Sequence, residues 1–368
     1  MNILLASGGS GGHIAPAIAI AERLPQHRCI FAISSRKVDS VFTRKYSHFS
    51  FVKVRANPFK LSPIAFLKFL GSQSMAFFFA LRLLKEKKID LLLAFGGFTS
   101  FVFVVAAKLR RIPVIIHESN IIPGKANRLA APLADKIFLP EGASFRHCLS
   151  LRYCSHRKRI QYMGFPIRQE FEAMTKADAR AQLGWPPLKK IILIIGGSSG
   201  ALSLNKWIQQ NFIRFAHHNI DIFCIAGPEF SEEKEVTFED CTLHMLPFCE
   251  HMNLLIRACD LVIARGGAGT IGECQFCKKP MILIPHPSDA HSHQLANARQ
   301  AEQLGIANII EQSELDHLPS QAIEILSNSP ILGAMQRSLE KAFVPDVAER
   351  IAGEVEHLLQ SKKRKTKK

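Results

Sequence analysis

Residues 2–13 read NILLASGGSGGH, and residues 190–201 read KIILIIGGSSGA. In each stretch a short apolar run leads directly into a glycine-rich loop, and an apolar helical pattern follows the loop. An unbroken apolar run of this kind is typical of a strand that is buried on both faces, as in a parallel sheet. The sequence therefore predicts two α/β domains, each of which opens with its own glycine loop.

Further apolar runs alternate with helical segments through both halves of the chain, at residues 91–95, 114–116, 222–225, 261–263 and 281–284. This alternation predicts the α/β class with two doubly wound domains, and 368 residues are enough for two cores. Gly164 and Pro166 separate the two patterns, so the boundary is expected between residues 163 and 164. Parallel sheets bind ligands at the carboxyl ends of their strands. Two domains that face each other would place the site in the cleft between them.

Charge divides the chain into a basic and an acidic part. Residues 1–168 hold 26 Lys and Arg against 7 Asp and Glu, a net charge of +19, whereas residues 169–361 have a net charge of −9. Residues 361–368 add six cations without any apolar period, and we expect this basic tail to be disordered. An anionic partner is therefore expected for the first half of the chain only.

Neither a secretory leader nor a membrane-spanning helix is expected. Met1 leads straight into the first apolar run without a basic leader. The uncharged stretch 91–107 is interrupted at Gly96 and Gly97, and the apolar stretch 69–81 is shorter than the ~18 residues of a spanning helix. Nine scattered cysteines are consistent with a reducing cytoplasm. Cys274 and Cys277 are expected to be buried small hydrophobic residues rather than zinc ligands.

The glycine loops suit the binding of phosphate. Backbone N–H groups at a helix N-terminus attract anions, and glycine allows a close approach. Neither loop has the Gly-Lys-Ser/Thr of a Walker A motif or the third glycine of the dinucleotide fingerprint, and a single loop of this kind is also explained as a tight turn. A third glycine-rich passage, 264–273, offers Thr270 and nearby amides to a diphosphate. Glu273 is placed to bind ribose hydroxyls, although an acidic residue in the first turns of a helix is also explained by the helix dipole.

The passage 285–298, PHPSDAHSHQLANA, is a polar, turn-rich loop directly after an apolar run. Its dense set of hydrogen-bond donors and acceptors suits the hydroxyl groups of a sugar. His291 and His293 form a His-x-His pair, but no carboxylate or cysteine completes a metal site. We therefore interpret the passage as a sugar-recognition loop rather than as a metal site.

In their joint order the motifs resemble the MurG family of UDP-N-acetylglucosamine–N-acetylmuramyl-(pentapeptide) pyrophosphoryl-undecaprenol N-acetylglucosamine transferases. The motifs are GGSGGH (8–13), FGGFTS (95–100), HESN (117–120), GFPIR (164–168), GGSSGA (196–201), RGGAGTIGE (265–273) and HQ (293–294) with Asn297. The resemblance implies a GT-B fold, in which two Rossmann-like domains face each other across a cleft. It also implies inverting transfer of GlcNAc from UDP-GlcNAc to lipid I, undecaprenyl-diphospho-muramyl-peptide, which gives lipid II without a metal or another cofactor.

The same resemblance implies roles for segments and for single residues. Residues 1–163 would face the acceptor and the membrane, 164–340 would bind UDP-GlcNAc, and 341–360 would form a helix that packs back on the first domain. His13 is the candidate catalytic base, Glu273 would hold the ribose, and backbone near Phe248 and Cys249 would hold the uracil. The implied UDP-GlcNAc site comprises Ser10, Gly11, Gly12, Asn120, Arg168, Ser198, Cys249, Ala268, Gly269, Thr270, Glu273, His293 and Gln294. The implied acceptor side comprises Asn127 and Phe98, and Asn120 would line it as well.

Several positions depart from the common family pattern, and at 101–102 Phe-Val replaces a glycine- or proline-bearing piece. Ser119 and Ser199 stand where the family usually has glutamine, and Phe98 stands where tyrosine is usual. Most of these differences concern the acceptor side, so they affect the expected acceptor contacts more than the donor chemistry.

Residues 60–70 and 77–85 mix aromatic side chains with cations. This mixture predicts docking on an anionic membrane leaflet, at the cytoplasmic face of the bacterial inner membrane. A buried helix with a solvated basic edge is the alternative explanation. A relative with another acceptor, such as a diacylglycerol glycosyltransferase, and a UDP-GlcNAc epimerase are the rival functions. A nucleic-acid partner is not expected, because no recognised binding module appears and the glycine loops would remain unexplained.

Overall fold

The structure is a computed structural model that describes residues 1–8, 11–34, 43–54, 63–143, 159–172, 174–197, 201–227, 230, 232–287 and 293–366, without the side chains of residues 63–70, 98 and 363–366. The chain divides into two compact units. Unit 1 comprises residues 1–168 together with 346–368, and unit 2 comprises residues 169–345. The sequence predicts the division five residues earlier, at 163/164. Arg168 lies in unit 1, where its guanidinium donates to the Tyr46 hydroxyl at 3.4 Å.

Unit 1 is built on a seven-stranded parallel sheet in the order β3-β2-β1-β4-β5-β6-β7. Its strands are β1 (Asn2–Ala6), β2 (Arg28–Ile33), β3 (Ser50–Lys53), β4 (Leu91–Ala94), β5 (Val114–His117), β6 (Lys136–Leu139) and β7 (Ile160–Tyr162). Its helices are α1 (Gly11–Glu22), α2 (Pro63–Glu86), α3 (Phe98–Leu109) and α4 (Lys125–Ala130), and a short 3₁₀ turn follows at Ala131–Leu133. The central strands β1, β4 and β5 are almost wholly buried, as predicted from their unbroken apolar runs.

Unit 2 repeats this architecture with the strand order β10-β11-β9-β8-β12-β13-β14, in which only the β10–β11 pair is antiparallel among the described strands. Its strands are β8 (Lys190–Ile195), β9 (Ile220–Ile225), β10 (Lys234–Phe238), β11 (Cys241–Leu246), β12 (Leu261–Ala264), β13 (Met281–Leu283) and β14 (Ala307–Ile309). Its helices are α5 (Lys176–Leu183), α6 (Leu202–Asn211), α7 (Met252–Ala258), α8 (Ala268–Phe276), α9 (His293–Gln303), α10 (Leu318–Ser327) and α11 (Ser329–Ala342). Short 3₁₀ turns lie at Gln169–Phe171, Phe212–Phe215 and Gln312–His317. The predicted pair of doubly wound α/β domains is confirmed.

The last helix, α12 (Val347–Thr366), belongs to unit 1 and packs against α1. Ile351, Val355 and Leu359 place an apolar stripe in the core, each at most 1% exposed. The helix continues to Thr366, whereas the sequence predicts disorder from residue 361. Lysine and arginine are good helix formers, and their charges are favourable at a helix C-terminus. A helix already nucleated by the apolar stripe therefore extends into the basic tail.

Helix α2 has two different faces. Ala76, Ala80 and Leu84 are buried, whereas Met75 and Phe78 on another face are 74% and 68% exposed.

No helix in the described part of the chain is long and apolar enough to cross a membrane.

Candidate active site

The glycine loop after β1 meets the ends of two neighbouring strands. The amide of Ser7 donates to Ala32 at 3.0 Å, and the amide of Phe95 donates to Ala6 at 3.0 Å. Gly97 has φ +83°, and a Cβ built on it would lie 2.9 Å from the carbonyl oxygen of Gly8. A side chain at position 97 would therefore force the two loops apart. The carboxyl ends of β1, β4 and β5 bring these loops together, as expected for a parallel sheet.

His13 is half-buried in the first turn of α1. Its Nδ1 lies 3.3 Å from the carbonyl oxygen of Gly8. A carbonyl oxygen only accepts, so this contact requires the proton on Nδ1 and leaves Nε2 as the acceptor in the neutral ring. A Cβ built on Gly96 would lie 3.4 Å from Nε2 of His13 and 3.3 Å from Nδ2 of Asn127. The absent side chain at Gly96 thus leaves space beside a basic nitrogen and a carboxamide.

Glu118 organises the loop that follows β5. Its carboxylate is buried and accepts four hydrogen bonds, from the amide and Nδ2 of Asn120, the amide of Gly124 and Nδ2 of Asn127, at 2.8–2.9 Å. Hydrogen bonds to a charged acceptor are stronger than neutral ones. Asn120 and Asn127 are therefore held in place by one carboxylate. Glu118 belongs to the HESN motif, but the motif alone predicts no role for it.

His117 lies next to this carboxylate at the end of β5. Its ring packs on Phe95, with ring centroids 5.5 Å apart. Burial, with a smaller contribution from the nearby His13 ring, lowers the pKa of His117 to about 3. His117 is therefore neutral at physiological pH. Its Nδ1 makes no hydrogen bond to any part of the chain that the structure describes.

Arg265 follows β12 in unit 2 and is 6% exposed. Its guanidinium donates to the carbonyl of Ile284 at 3.0 Å, to Oε1 of Gln312 at 2.8 Å and to Oγ of Ser203 at 3.1 Å. Burial lowers the pKa of Arg265, but an arginine pKa starts so high that the charge persists. Arg265 therefore connects the ends of β12 and β13 to the start of α6. The RGGAGTIGE motif alone predicts no such role for it.

The loop before α8 contacts the first turn of α9. A Cβ built on Gly266 would overlap the carbonyl oxygen of Gln294, at 2.2 Å, so only glycine fits there. Nδ2 of Asn297 donates to the carbonyl of Gly266 at 3.0 Å, and Oε1 of Gln294 accepts from the amide of His286 at 3.0 Å. These contacts hold the two helix starts side by side.

His293 and Gln294 lie in the first turn of a helix, whereas the sequence predicts a loop throughout residues 285–298. The good helix formers that follow, among them Leu295 and Ala296, explain the difference.

The start of α8 has the form of an anion site. Gly267 precedes the helix without a side-chain cap, and Ala268, Gly269 and Thr270 are half-buried in its first turn. The first amides of a helix have no acceptor within the helix, and the helix dipole adds partial positive charge there. Glu273, also half-buried, lies one turn further along.

The structure places the predicted residues after the carboxyl ends of strands in both units. These residues are Gly11, Gly12, His13, Asn120 and Asn127 at the strand ends of unit 1, and Cys249, Ala268, Gly269, Thr270, Glu273, His293 and Gln294 at those of unit 2. Ser10, Ser198 and the side chain of Phe98 lie outside the described residues, as do Ser199 and His291. Arg168 is predicted in the donor domain but is buried in unit 1. No group of three or more metal-ligating side chains occurs within the described residues.

Two domains of this chain match one enzyme family. Residues 3–139 match the glycosyltransferase family 28 N-terminal domain, and residues 191–351 match the glycosyltransferase family 28 C-terminal domain. The first match runs from β1 to β6 of unit 1, and the second runs from β8 past β14 of unit 2.

Curated relatives match over almost their whole length. The UDP-N-acetylglucosamine--N-acetylmuramyl-(pentapeptide) pyrophosphoryl-undecaprenol N-acetylglucosamine transferase of Opitutus terrae is 31% identical, over 97% of this chain and 95% of its own length. The protein of the same name from Carboxydothermus hydrogenoformans is 30% identical, over 99% of this chain and 100% of its own. The crystal structure of Acinetobacter baumannii MurG superposes with a TM-score of 0.71 at 23% identity, covering 97% of this chain and 99% of that one. The fold is therefore the GT-B fold that the motifs imply, and the chain belongs to glycosyltransferase family 28 and, within it, to the MurG family.

Proposed function

We propose that this chain transfers GlcNAc from UDP-GlcNAc to the muramyl sugar of lipid I, with inversion at the anomeric carbon, and so produces lipid II for peptidoglycan synthesis. The observation that carries the proposal is the similarity, along nearly the whole chain and through both units, to transferases with this donor and acceptor in their names. The geometry at the two sets of strand ends supports a division of labour between them.

The acceptor is activated at the strand ends of unit 1. The acceptor hydroxyl lies against Nε2 of His13, in the space that the missing side chain of Gly96 leaves. As its oxygen forms a bond to C1 of GlcNAc, the bond from C1 to the diphosphate oxygen breaks and its electron pair leaves with UDP. The hydroxyl proton passes to Nε2. Histidine suits this role because its ordinary pKa of about 6.5 lies near working pH.

Two neighbours assist this base. The carbonyl of Gly8 accepts from Nδ1 at 3.3 Å, which fixes the ring and stabilises the imidazolium that forms. His117 stays neutral because burial lowers its pKa to about 3, so it adds no positive charge that would oppose protonation of His13.

The acceptor sugar is positioned by the carboxamides of Asn120 and Asn127, with the Phe98 segment beside them. Glu118 holds both carboxamides through charge-assisted hydrogen bonds, so they do not have to be ordered when the substrate binds. Such pre-organisation lowers the entropic cost of reaching a reactive geometry.

The donor is held at the strand ends of unit 2. The first-turn amides of α8 and the hydroxyl of Thr270 bind the diphosphate, and Glu273 accepts from the ribose hydroxyls. Backbone at Cys249 contacts the uracil, and His293 and Gln294 face the GlcNAc hydroxyls. The other contacts that the resemblance implies, from Ser10, Gly11, Gly12, Arg168 and Ser198, belong to this proposal as well. Fixed amides directed at the departing UDP stabilise the charge that develops on it.

The lipid-linked acceptor places the enzyme at the cytoplasmic face of the bacterial inner membrane, as a peripheral protein. Met75 and Phe78 provide an exposed apolar surface on α2, and exposed Arg82, Lys85 and Lys88 follow on the same helix and in the turn after it. An apolar surface bordered by cations suits shallow insertion among anionic head groups.

Transfer of radiolabel from UDP-GlcNAc to a short-chain lipid I analogue tests the proposal, with UDP-glucose and UDP-GalNAc as competing donors. We expect labelled disaccharide-lipid from UDP-GlcNAc alone. Absence of transfer by an enzyme that binds UDP would contradict the proposed acceptor and leave the family assignment intact.

A further inference from the structure

The basic tail lies beside the basic end of α2. Nζ of Lys362 donates to the carbonyl of Asp90 at 3.2 Å. Asp90 lies two residues beyond the exposed Lys88, in the turn that follows α2. The amide of Asn2 donates to the Asp90 carboxylate at 2.9 Å, and Nδ2 of Asn2 donates to the carbonyl of Lys87 at 2.7 Å. This turn is therefore fixed to the sheet, and the tail begins against a defined place on unit 1.

The part of α12 that precedes the tail is also fixed on unit 1. Glu354 on α12 pairs with Lys136 and accepts from Gln161, and Glu356 pairs with His27 at 2.7 Å. Leu359 is 1% exposed, so the helix is packed up to three residues before Lys362. The backbone stays helical to Thr366, and at about 1.5 Å per residue the backbone of residues 363–365 follows within one turn of Lys362.

The charges along α12 change at the point where packing stops. Up to residue 356 its carboxylates pair with basic side chains of unit 1, namely Arg23, His27 and Lys136. From residue 362 onward it carries only cations. Residues 85–90 and 361–368 together hold nine cations and two carboxylates. So many like charges repel one another unless an anionic partner neutralises them.

We infer that the basic ends of α2 and α12 form one composite cationic surface for the anionic head groups of a lipid bilayer, an inference that rests on the proposed membrane docking of α2. The bilayer is the partner because Lys362 contacts the segment directly after the helix that exposes Met75 and Phe78. Apolar side chains next to cations match a bilayer, which offers both an apolar layer and anionic phosphates. The tail thus adds an electrostatic contact to the apolar one.

Binding to phosphatidylcholine vesicles, with and without phosphatidylglycerol, tests the inference in low salt with three full-length variants. The tail variant replaces Lys363, Arg364, Lys365, Lys367 and Lys368 by Gln and keeps Lys362. The α2 variant replaces Lys85, Lys87 and Lys88 by Gln. The matched control removes five exposed cations of unit 2 through Lys206→Gln, Lys234→Gln, Arg299→Gln, Arg337→Gln and Lys341→Gln. Unfolding midpoints establish that all three variants fold.

We expect wild type to bind only the anionic vesicles, and the tail and α2 variants each to lose at least about tenfold in partition coefficient, with the control unchanged. A tail variant that binds like wild type while the α2 variant weakens would overturn the composite surface and leave the proposed membrane docking standing. Wild-type protein that does not bind anionic vesicles would contradict the proposed membrane docking itself. An equal loss of vesicle binding in the control variant would also overturn the inference. The same holds for a tail variant that keeps wild-type vesicle binding but loses binding to single-stranded RNA.

Discussion

Replacing Glu118 by Gln tests the arrangement that positions the acceptor side. One carboxylate oxygen accepts from the amide and Nδ2 of Asn120, and the other accepts from the amide of Gly124 and Nδ2 of Asn127. The glutamine oxygen can replace only one of them, and its NH₂ group then faces two donors. A buried donor without an acceptor costs roughly 1–3 kcal/mol. The two orphaned donors predict a loss of about 3 kcal/mol in the free energy of unfolding.

Urea unfolding and acceptor kinetics measure the two consequences separately. We expect the Glu118→Gln variant to unfold about 3 kcal/mol more easily, and its kcat/KM for the lipid I analogue to fall on the order of 100-fold, because the two carboxamides lose their fixed orientation. UDP affinity should stay unchanged, since the first-turn amides of α8, Glu273 and Cys249, which are proposed to hold the diphosphate, the ribose and the uracil, lie in unit 2. The matched control is Glu86→Gln, which alters a carboxylate in an exposed pair with Arg82 and should change neither quantity. Unchanged stability and kinetics in Glu118→Gln would refute the reasoning.

Three further predictions concern the same strand ends. His13→Ala should lower turnover by about 10²–10⁴-fold while the Kd for UDP, measured by calorimetry, is retained; near-normal turnover would remove the base assignment. Gly96→Ala should impair transfer far more than Gly184→Ala, because both positions have positive φ but only the added methyl at 96 meets His13 and Asn127; equal activities would contradict the proposed acceptor space. The pKa of His117 in the folded chain is lowered to about 3, so on acidification the unfolded chain protonates this side chain at a higher pH than the folded chain does. The free energy of unfolding should therefore fall by about 3 kcal/mol from about pH 7 to about pH 4. His117→Gln should flatten this slope in urea titrations, and an unaltered slope would count against a neutral His117.

The fold follows from the sequence to a large extent. The strands β1 and β8 could be predicted from the sequence, because strands that are covered on both faces lack the alternation of apolar and polar residues. The glycine loops indicated where the following helices begin. The helical end of α12 could not be predicted from the sequence, because it depends on the packed apolar stripe at Ile351, Val355 and Leu359 that nucleates the helix. Composition alone indicates disorder for such a basic segment.

The candidate site was less predictable. Motif order predicts roles for His13, Thr270 and Glu273. The role of Glu118 comes from hydrogen bonds within its own loop, to residues at most nine positions away. The role of Arg265 comes from contacts with segments that are distant in sequence, such as Gln312. One signal for both was present in the sequence. A charged residue directly after a buried strand must find partners when it is buried, because an unpaired buried charge is very costly.

The anomeric configuration of the product tests the central claim most directly. The α-linked donor sugar of UDP-GlcNAc would be transferred to the lipid I analogue, and the linkage of the isolated disaccharide would be determined by proton NMR. In-line attack by a hydroxyl activated at His13 predicts a β-linked GlcNAc–muramyl disaccharide, formed by wild type and not by His13→Ala. An α-linked product, or β-linked product at the wild-type rate from His13→Ala, would contradict the account.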